Sequence, residues 1–199
     1  ISVDVARLWD DKTVICIWRG LECIKILHHD KNTIDDIANR IKDLEYSYGV
    51  ARHNIVVDSD WVWGWLADLL RGCTNFVNNS RPYKFEAEKK GYVIRNYANL
   101  KAQCYFKLKY LMEKREIRVN TSWEIKDKLQ NELDNILVKD LEWENKIRLE
   151  SKEDMKKRLG HSPDYADAIM MRMYWTLWRP YSPVTHTEVI TVNFDDMLY

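Results

Sequence analysis

The sequence opens with ISVDVA (1–6), TVICIW (13–18) and LECIKIL (21–27), three segments rich in β-branched residues. Such segments favour β-strands, and the polar turn between the first two indicates a hairpin. The third segment alternates apolar and polar residues, as a strand with one buried face does. The chain is therefore predicted to begin with three consecutive antiparallel strands.

Helices and strands alternate in the rest of the chain. Thr33 and the acidic residues after it predict a helix that ends at Gly49. Further strands are predicted at 54–58, 76–77, 116–119 and 146–150, and further helices at 64–71, 98–114, 121–138, 151–160 and 164–178. Glu124, three residues after Thr121, predicts a capping box there. The order predicts an α/β fold, in which helices flank a mixed β-sheet.

Composition limits the function classes. The 199 residues suit one large domain, and 31 basic residues balance 31 acidic ones. This balance excludes a histone-like polycation but not a local basic groove. No apolar run reaches membrane-spanning length, and no signal peptide is evident. The four cysteines, which form no CxxC pair, favour a reducing compartment.

Three aspartates stand at positions where chemistry is expected. Asp4 interrupts the first apolar strand, Asp58 ends the fourth strand, and Asp164 opens the last long helix. Converging carboxylates repel one another, and a divalent cation relieves the repulsion. Oxygen ligands favour Mg²⁺ or Mn²⁺, and two such ions could clamp a phosphodiester. Asp167, one turn after Asp164, is either a further ligand or a supporting partner.

Each aspartate also has an ordinary structural explanation. Asp58 could cap the turn that follows its strand, and Asp164 could be a helix-start acid that the helix dipole favours. Asp10 and Asp11 fit a polar turn better than a functional site. Asp4 is the hardest to explain in this way, because strand interiors are depleted of carboxylates.

The acidic motifs occur in a recognisable order. They are DVAR (4–7), DKTV (11–14), VVDSD (56–60) and SPDYADA (162–168), with NLKA (99–102) and SKEDMK (151–156) between them. Over most of the chain this set resembles the C-terminal nuclease domain of the large terminase subunit of tailed bacteriophages. The resemblance implies an RNase H-like fold and a two-metal endonuclease that cuts concatemeric double-stranded DNA during genome packaging.

The resemblance also implies residue roles and partners. Asp4, Asp58 and Asp164 would be the catalytic carboxylates that hold two Mg²⁺ or Mn²⁺ ions, with Asp167 as a further candidate metal ligand. His161 would assist at the metal site or be an ordinary loop histidine. Double-stranded DNA would be the substrate, in the cytoplasm of the host cell. The terminase small subunit and the portal would be partners of the full-length protein.

The expected domain organisation is a nuclease domain at 1–180 and a C-terminal tail at 181–199. A phosphate-binding loop requires the pattern GxxxxGK[ST], and none of the six glycines precedes a lysine. The ATPase domain of the family is therefore expected to be absent, with no ATP binding in this chain. Because the sequence begins directly inside a predicted strand, we expect an excised part of a longer protein.

The chain departs from the family at positions that usually carry glycine. Trp9, Trp61, Trp63 and Trp65 stand there instead, and tryptophan cannot replace the conformational freedom of glycine. The indoles either repack the turns locally or reshape the access of DNA to the carboxylates.

Two alternative functions remain open at this point. One is a docking module for DNA or the portal without cleavage, and the other is a different RNase H-like nuclease, such as a resolvase or ribonuclease.

Overall fold

A computed structural model of the chain describes residues 1–6, 12–30, 33–58, 65–83, 96–139 and 146–178. Its centre is a mixed sheet in the order β5-β4-β1-β2-β3-β6. The strands are β1 (Ser2–Asp4), β2 (Lys12–Arg19), β3 (Glu22–Asp30), β4 (Val56–Asp58), β5 (Thr74–Phe76) and β6 (Arg118–Val119). The first three strands are antiparallel neighbours, whereas β4, β5 and β6 each pair in parallel with β1, β4 and β3 respectively.

Helices cover both faces of this sheet. They are α1 (Ile34–Tyr48), α2 (Trp65–Leu69), α3 (Leu100–Glu113), α4 (Trp123–Asp134), α5 (Lys152–Leu159), α6 (Asp164–Met171) and α7 (Tyr174–Trp178). A separate two-stranded sheet joins β7 (Val138–Lys139) to β8 (Arg148–Leu149). Within the described ranges, no helix is both long enough and apolar enough to cross a bilayer.

Side-chain alternation along the strands builds two cores. Val3 and Val57 face one core with residues of α1 and α2. Val56 and Phe76 face the other core with residues of α3 and α6. Since alternate residues of a strand point to opposite faces, Ser2 and Asp4 lie on the side of α6. The sheet therefore directs its first aspartate toward the helix that carries Asp164.

Local capping signals set several helix ends as predicted. The Thr33 side chain accepts a hydrogen bond from the Asp36 N–H, and the Asp36 carboxylate accepts one from the Thr33 N–H. Gly49 ends α1 in the left-handed conformation at φ +61°. Ser151 caps α5, and Gly160 ends it in the same left-handed region. These caps satisfy backbone groups that a helix end otherwise leaves without partners.

Three local predictions are wrong. The capping box at Thr121 and Glu124 does not form, because Ser122 directly precedes α4 and Glu124 pairs instead with Lys128. The helix also ends at Asp134 and does not reach residue 138 as predicted, because Val138 begins β7 instead. The single helix predicted at 164–178 is interrupted after Met171 and resumes at Tyr174.

Some predictions fall on residues that the structure does not describe. These are the tail at 181–199 and the positions of Trp9, Trp61 and Trp63. Trp65 begins α2. The four cysteines are free thiols, of which Cys73 alone is partly exposed.

Candidate functional site

Asp4 and Asp58 end neighbouring strands at the same edge of the sheet. β1 and β4 are parallel with Val3 opposite Val57, so the next residue of each strand is an aspartate beside an aspartate. Both carboxylates are buried, at 2% and 6% exposure. Asp58 Oδ1 accepts a hydrogen bond of 3.3 Å from the Asn78 side chain. The parallel register thus joins two residues that are 54 positions apart in the chain.

Helix α6 brings Asp164 and Asp167 to this pair. Ser2 Oγ donates a 2.6 Å hydrogen bond to the carbonyl of Ala168, which ties α6 to β1. Asp164 Oδ2 accepts a 2.9 Å hydrogen bond from the backbone N–H of Lys12, at the start of β2. Both helix aspartates are buried. All four predicted carboxylates therefore lie around one end of the β1–β4 pair.

The ammonium group of Lys152 lies between three of these carboxylates. Its Nζ is 3.8 Å from Asp4 Oδ2, 3.7 Å from Asp164 Oδ1 and 3.5 Å from Asp167 Oδ2. A lysine in a highly charged helix such as α5 is normally a solvated residue. For Lys152 the structure gives a different position, because α5 turns its first residue inward to the acidic cluster. Its charge offsets part of the repulsion among the aspartates.

Asp167 is held by two residues of α3. Tyr105 donates a 2.6 Å hydrogen bond to Asp167 Oδ1. Lys101 Nζ lies 2.8 Å from Oδ1 and 2.9 Å from Oδ2. Lys101 and Tyr105 are four residues apart, so they share one face of their helix. This face of α3 therefore binds both oxygens of Asp167.

The protonation of Asp4 and Asp167 is set in opposite directions. Burial raises the pKa of Asp4 well above its ordinary value; Lys152 opposes this, while the carboxylates of Asp167, Asp164 and Asp58 add to it. Burial would also raise the pKa of Asp167, but Lys101 and Lys152 outweigh it and the net shift is downward. Asp167 is therefore a stable anion, whereas Asp4 ionises readily only when further positive charge is nearby.

Glu132 of α4 contacts the N-terminal turn of α6. Its side chain is 1% exposed, and Oε2 accepts a 2.8 Å hydrogen bond from the Ala166 N–H in the first turn of α6. A side-chain oxygen that accepts a hydrogen bond at a helix N-terminus satisfies an N–H group that otherwise has no partner in the helix. Glu132 thereby fixes the end of the helix that carries Asp164.

His161 lies in the link between α5 and α6. Its Nδ1 is 2.8 Å from the carbonyl oxygen of Ser162 and 3.8 Å from Glu132 Oε1. Its side chain is about half exposed. The contacts of this histidine are thus with its neighbour and with the supporting glutamate.

The donor set at this site suits a hard divalent cation. Asp4 Oδ2 is buried and accepts no hydrogen bond from any residue that the structure describes. Carboxylate oxygens are the ligands that Mg²⁺ and Mn²⁺ prefer. Among the residues placed by the structure, however, no three Asp, Glu, His or Cys side chains already form a metal-binding group. The fit therefore rests on the chemistry of the carboxylates and on their burial, with the Lys152 ammonium now between them.

Sequence reasoning missed three residues that shape the site. Lys101 and Tyr105 occur in a helical pattern, where a lysine is normally a solvated residue. Glu132 resembles any other acidic residue of α4. The available signal was weak: Lys101 belongs to the NLKA motif (99–102), which is part of the family resemblance but assigns no role to its lysine.

Solved structures share this architecture. The nuclease domain of the large terminase subunit of bacterial virus Sf6 is 23% identical, has a TM-score of 0.69, and the match covers 86% of this chain and 85% of that one. A mutant of that domain, solved with manganese and beta-thujaplicinol, is 22% identical with the same TM-score and coverage. The large terminase nuclease of thermophilic phage G20c is 19% identical, with a TM-score of 0.56 and coverage of 87% and 79%.

This chain has the fold of the terminase nuclease domains. The prediction of an RNase H-like fold with three antiparallel strands followed by alternating units is confirmed. No family model matches the sequence, and no curated protein matches it either. The family resemblance read from the acidic motifs and the structural likeness agree in the fold that they indicate.

Proposed function

We propose that this chain is a metal-dependent endonuclease domain of a viral DNA-packaging terminase. The observation that carries the proposal is the convergence of Asp4, Asp58 and Asp164 at one buried end of the sheet. These carboxylates come from three separate elements of a fold that terminase nuclease domains share. Structures of the Sf6 domain with manganese and with calcium support the use of a divalent cation.

In this proposal Asp4, Asp58 and Asp164 hold the cations. Two Mg²⁺ or Mn²⁺ ions, when bound there, would stabilise charge on the attacking and leaving oxygens of a phosphodiester. Burial of the carboxylates lowers the local dielectric constant, which strengthens every charge interaction in the site. Lys152 holds a positive charge against the same oxygens, so it limits the repulsion before a substrate arrives.

The biological setting follows the same proposal. The substrate is concatemeric double-stranded DNA, which is cut in the host cell cytoplasm during phage assembly. The terminase small subunit and the portal are the partners of the full-length protein. In this proposal the chain itself does not bind ATP, because the sequence contains no phosphate-binding loop.

Plasmid cleavage tests the proposal. Supercoiled plasmid is incubated with the purified chain and Mn²⁺ or Mg²⁺, and nicked and linear products are measured with and without EDTA. Asp4→Asn, Asp58→Asn and Asp164→Asn preserve side-chain size and remove a charge. Each is expected to lower the rate by more than about 100-fold, since even supporting residues at metal sites contribute 10- to 100-fold. Asp43→Asn, at an exposed position of α1, is the matched control and should cleave normally.

Metal titration separates cleavage from docking. A nuclease that holds cations should show an Mn²⁺-dependent rise in melting temperature, which the three Asn variants lack. A docking module for DNA or the portal would bind without that rise. Cleavage of branched DNA or of an RNA–DNA hybrid in preference to linear duplex would instead indicate a resolvase or a ribonuclease.

A further inference from the structure

The two oxygens of Asp167 are already occupied by groups of α3. Oδ1 accepts the Tyr105 hydroxyl at 2.6 Å and lies 2.8 Å from Lys101 Nζ, and Oδ2 lies 2.9 Å from the same ammonium. A carboxylate offers about four lone-pair sites in total. Three short contacts from one helix leave Asp167 little capacity for a cation.

Asp4 presents the opposite case. Its Oδ2 accepts no hydrogen bond from the described part of the chain, and the Lys152 ammonium is 3.8 Å away. Asp164 Oδ2 accepts a backbone hydrogen bond from the N–H of Lys12. The Asp4 carboxylate thus retains oxygen capacity that Asp167 has committed to α3.

Asp164 and Asp167 are mechanically linked. They are three residues apart, so they project from the same face of α6. A contact that fixes Asp167 also fixes the rotation and the axial position of Asp164. The contact is shielded from solvent, since the side chains of Lys101 and Asp167 are only 13% and 6% exposed. Tyr105 is buried as well.

We infer that Asp167 is a positioning residue. It fastens α6 to Lys101 and Tyr105 of α3, and through α6 it sets the place of Asp164 opposite Asp4. In this role Asp167 does not bind the cation itself. The inference rests on the proposed function for its last step, because it assumes that Asp4 and Asp164 hold a divalent ion.

Mn²⁺ binding by isothermal titration calorimetry distinguishes the two roles. Asp164→Asn removes a ligand, so it should abolish binding of at least one ion. Asp167→Asn and Lys101→Met should keep the number of bound ions and weaken the affinity by about 10- to 100-fold, which is typical of residues that orient ligands. Lys101→Arg should restore much of the affinity. Lys109→Met, an exposed lysine of the same helix, is the matched control and should bind normally.

A double variant measures the coupling. If Asp167 and Lys101 act as one unit, the affinity of the Asp167→Asn, Lys101→Met double variant should equal that of either single variant. The free energy of unfolding in urea without metal, measured for the unaltered protein, the two single variants and the double variant, should show the same coupling. This second readout does not depend on cation binding, so it tests the α3–α6 fastening even if the proposed function is wrong.

Three results would overturn the inference. One is the loss of an ion in Asp167→Asn while Lys101→Met retains it, since this would make Asp167 a ligand. Another is an unchanged Mn²⁺ affinity in both variants despite lower stability, since this would limit the contact to folding. Additive effects in the double variant are the third. If the charge variants do not fold, Tyr105→Phe decides, because it removes one hydrogen bond and should weaken Mn²⁺ affinity about tenfold at the same stoichiometry.

By contrast, normal Mn²⁺ binding in Asp164→Asn would contradict the proposed function. The unfolding cycle between Asp167 and Lys101 would still report whether the fastening exists.

Discussion

Replacement of Glu132 by Gln should remove a large part of the pH dependence of stability. Glu132 is buried beneath the first turn of α6. Burial raises its pKa to about 8; the N–H groups of Ala166 and Tyr165 oppose this shift, and the charges of Asp164 and Asp167 add to it. The amide oxygen of a Gln side chain can still accept the Ala166 hydrogen bond, but the side chain cannot titrate.

The sign of the effect follows from the direction of the pKa shift. The ordinary pKa of glutamate is 4.5, so between pH 4.5 and about 8 the folded protein retains a proton that the unfolded chain releases. The free energy of unfolding therefore falls as pH rises through this window. At about 1.4 kcal/mol per pKa unit, Glu132 accounts for a fall of at most about 5 kcal/mol. Below pH 4.5 the contribution is constant.

Urea unfolding from pH 4.5 to 8.5, with EDTA present, measures this contribution. The difference in unfolding free energy between Glu132→Gln and the unaltered protein should grow steadily in favour of the variant as pH rises. Glu124→Gln is the control, because Glu124 is exposed on the same helix and its pKa is lowered by Lys128. Because the pKa of Glu124 is lowered in the folded protein, any slope that it adds near pH 4.5 has the opposite sign, and it adds none at higher pH, where both states are ionised. Parallel curves for the unaltered protein and Glu132→Gln would refute the reasoning.

Three further substitutions test the local structure by urea unfolding. Ser151→Ala removes the cap that accepts the Asp154 N–H and should lower stability by about 1 kcal/mol; no loss would mean that the cap is replaced by water. Gly49→Ala meets no atom within 4 Å but places a Cβ at φ +61°, so it should cost about 1 to 2 kcal/mol from backbone strain alone. Ile41→Ala opens a cavity in the core beneath α1 and should cost about 2 to 5 kcal/mol; a smaller loss would show that the core collapses around it.

The ends of α1 and α5 were predictable because their signals are local. Thr33 and Gly49 act on backbone groups within four residues of themselves, and their side-chain chemistry leaves few alternatives. The same kind of signal gave a wrong prediction at Thr121. The expected capping box does not form there, and Glu124 pairs with Lys128. A capping pattern shows which hydrogen bonds can form at a helix end, whereas the surrounding residues decide which of them do form.

The C-terminal end of α4 could not be predicted from local sequence patterns. The apolar residues after Asp134 continue a helical spacing, yet Val138 pairs with Leu149 in a second sheet. Pairing between β7 and β8 involves residues about ten positions apart, which no short window contains. Helix propensity is a weak prior that such tertiary pairing overrides.

The candidate site divides in the same way. Asp4, Asp58 and Asp164 were predictable from the sequence, because a carboxylate in or beside an apolar segment is costly to bury unless a partner compensates its charge. The position of Lys152 among these residues was not predictable. A lysine in a charged helix resembles a solvated residue until the fold shows which way the helix faces.

The sequence by itself determined the six strands of the central sheet, most helix boundaries and the aspartates that mark the site, because each depends on side-chain pattern or on contacts between near neighbours. Only the tertiary structure decided how those aspartates are neutralised and held. Lys101, Glu132 and Lys152 arrive from three different helices. Their role arises from distances between elements far apart in the chain, and such distances are fixed by the packing of helices on the sheet.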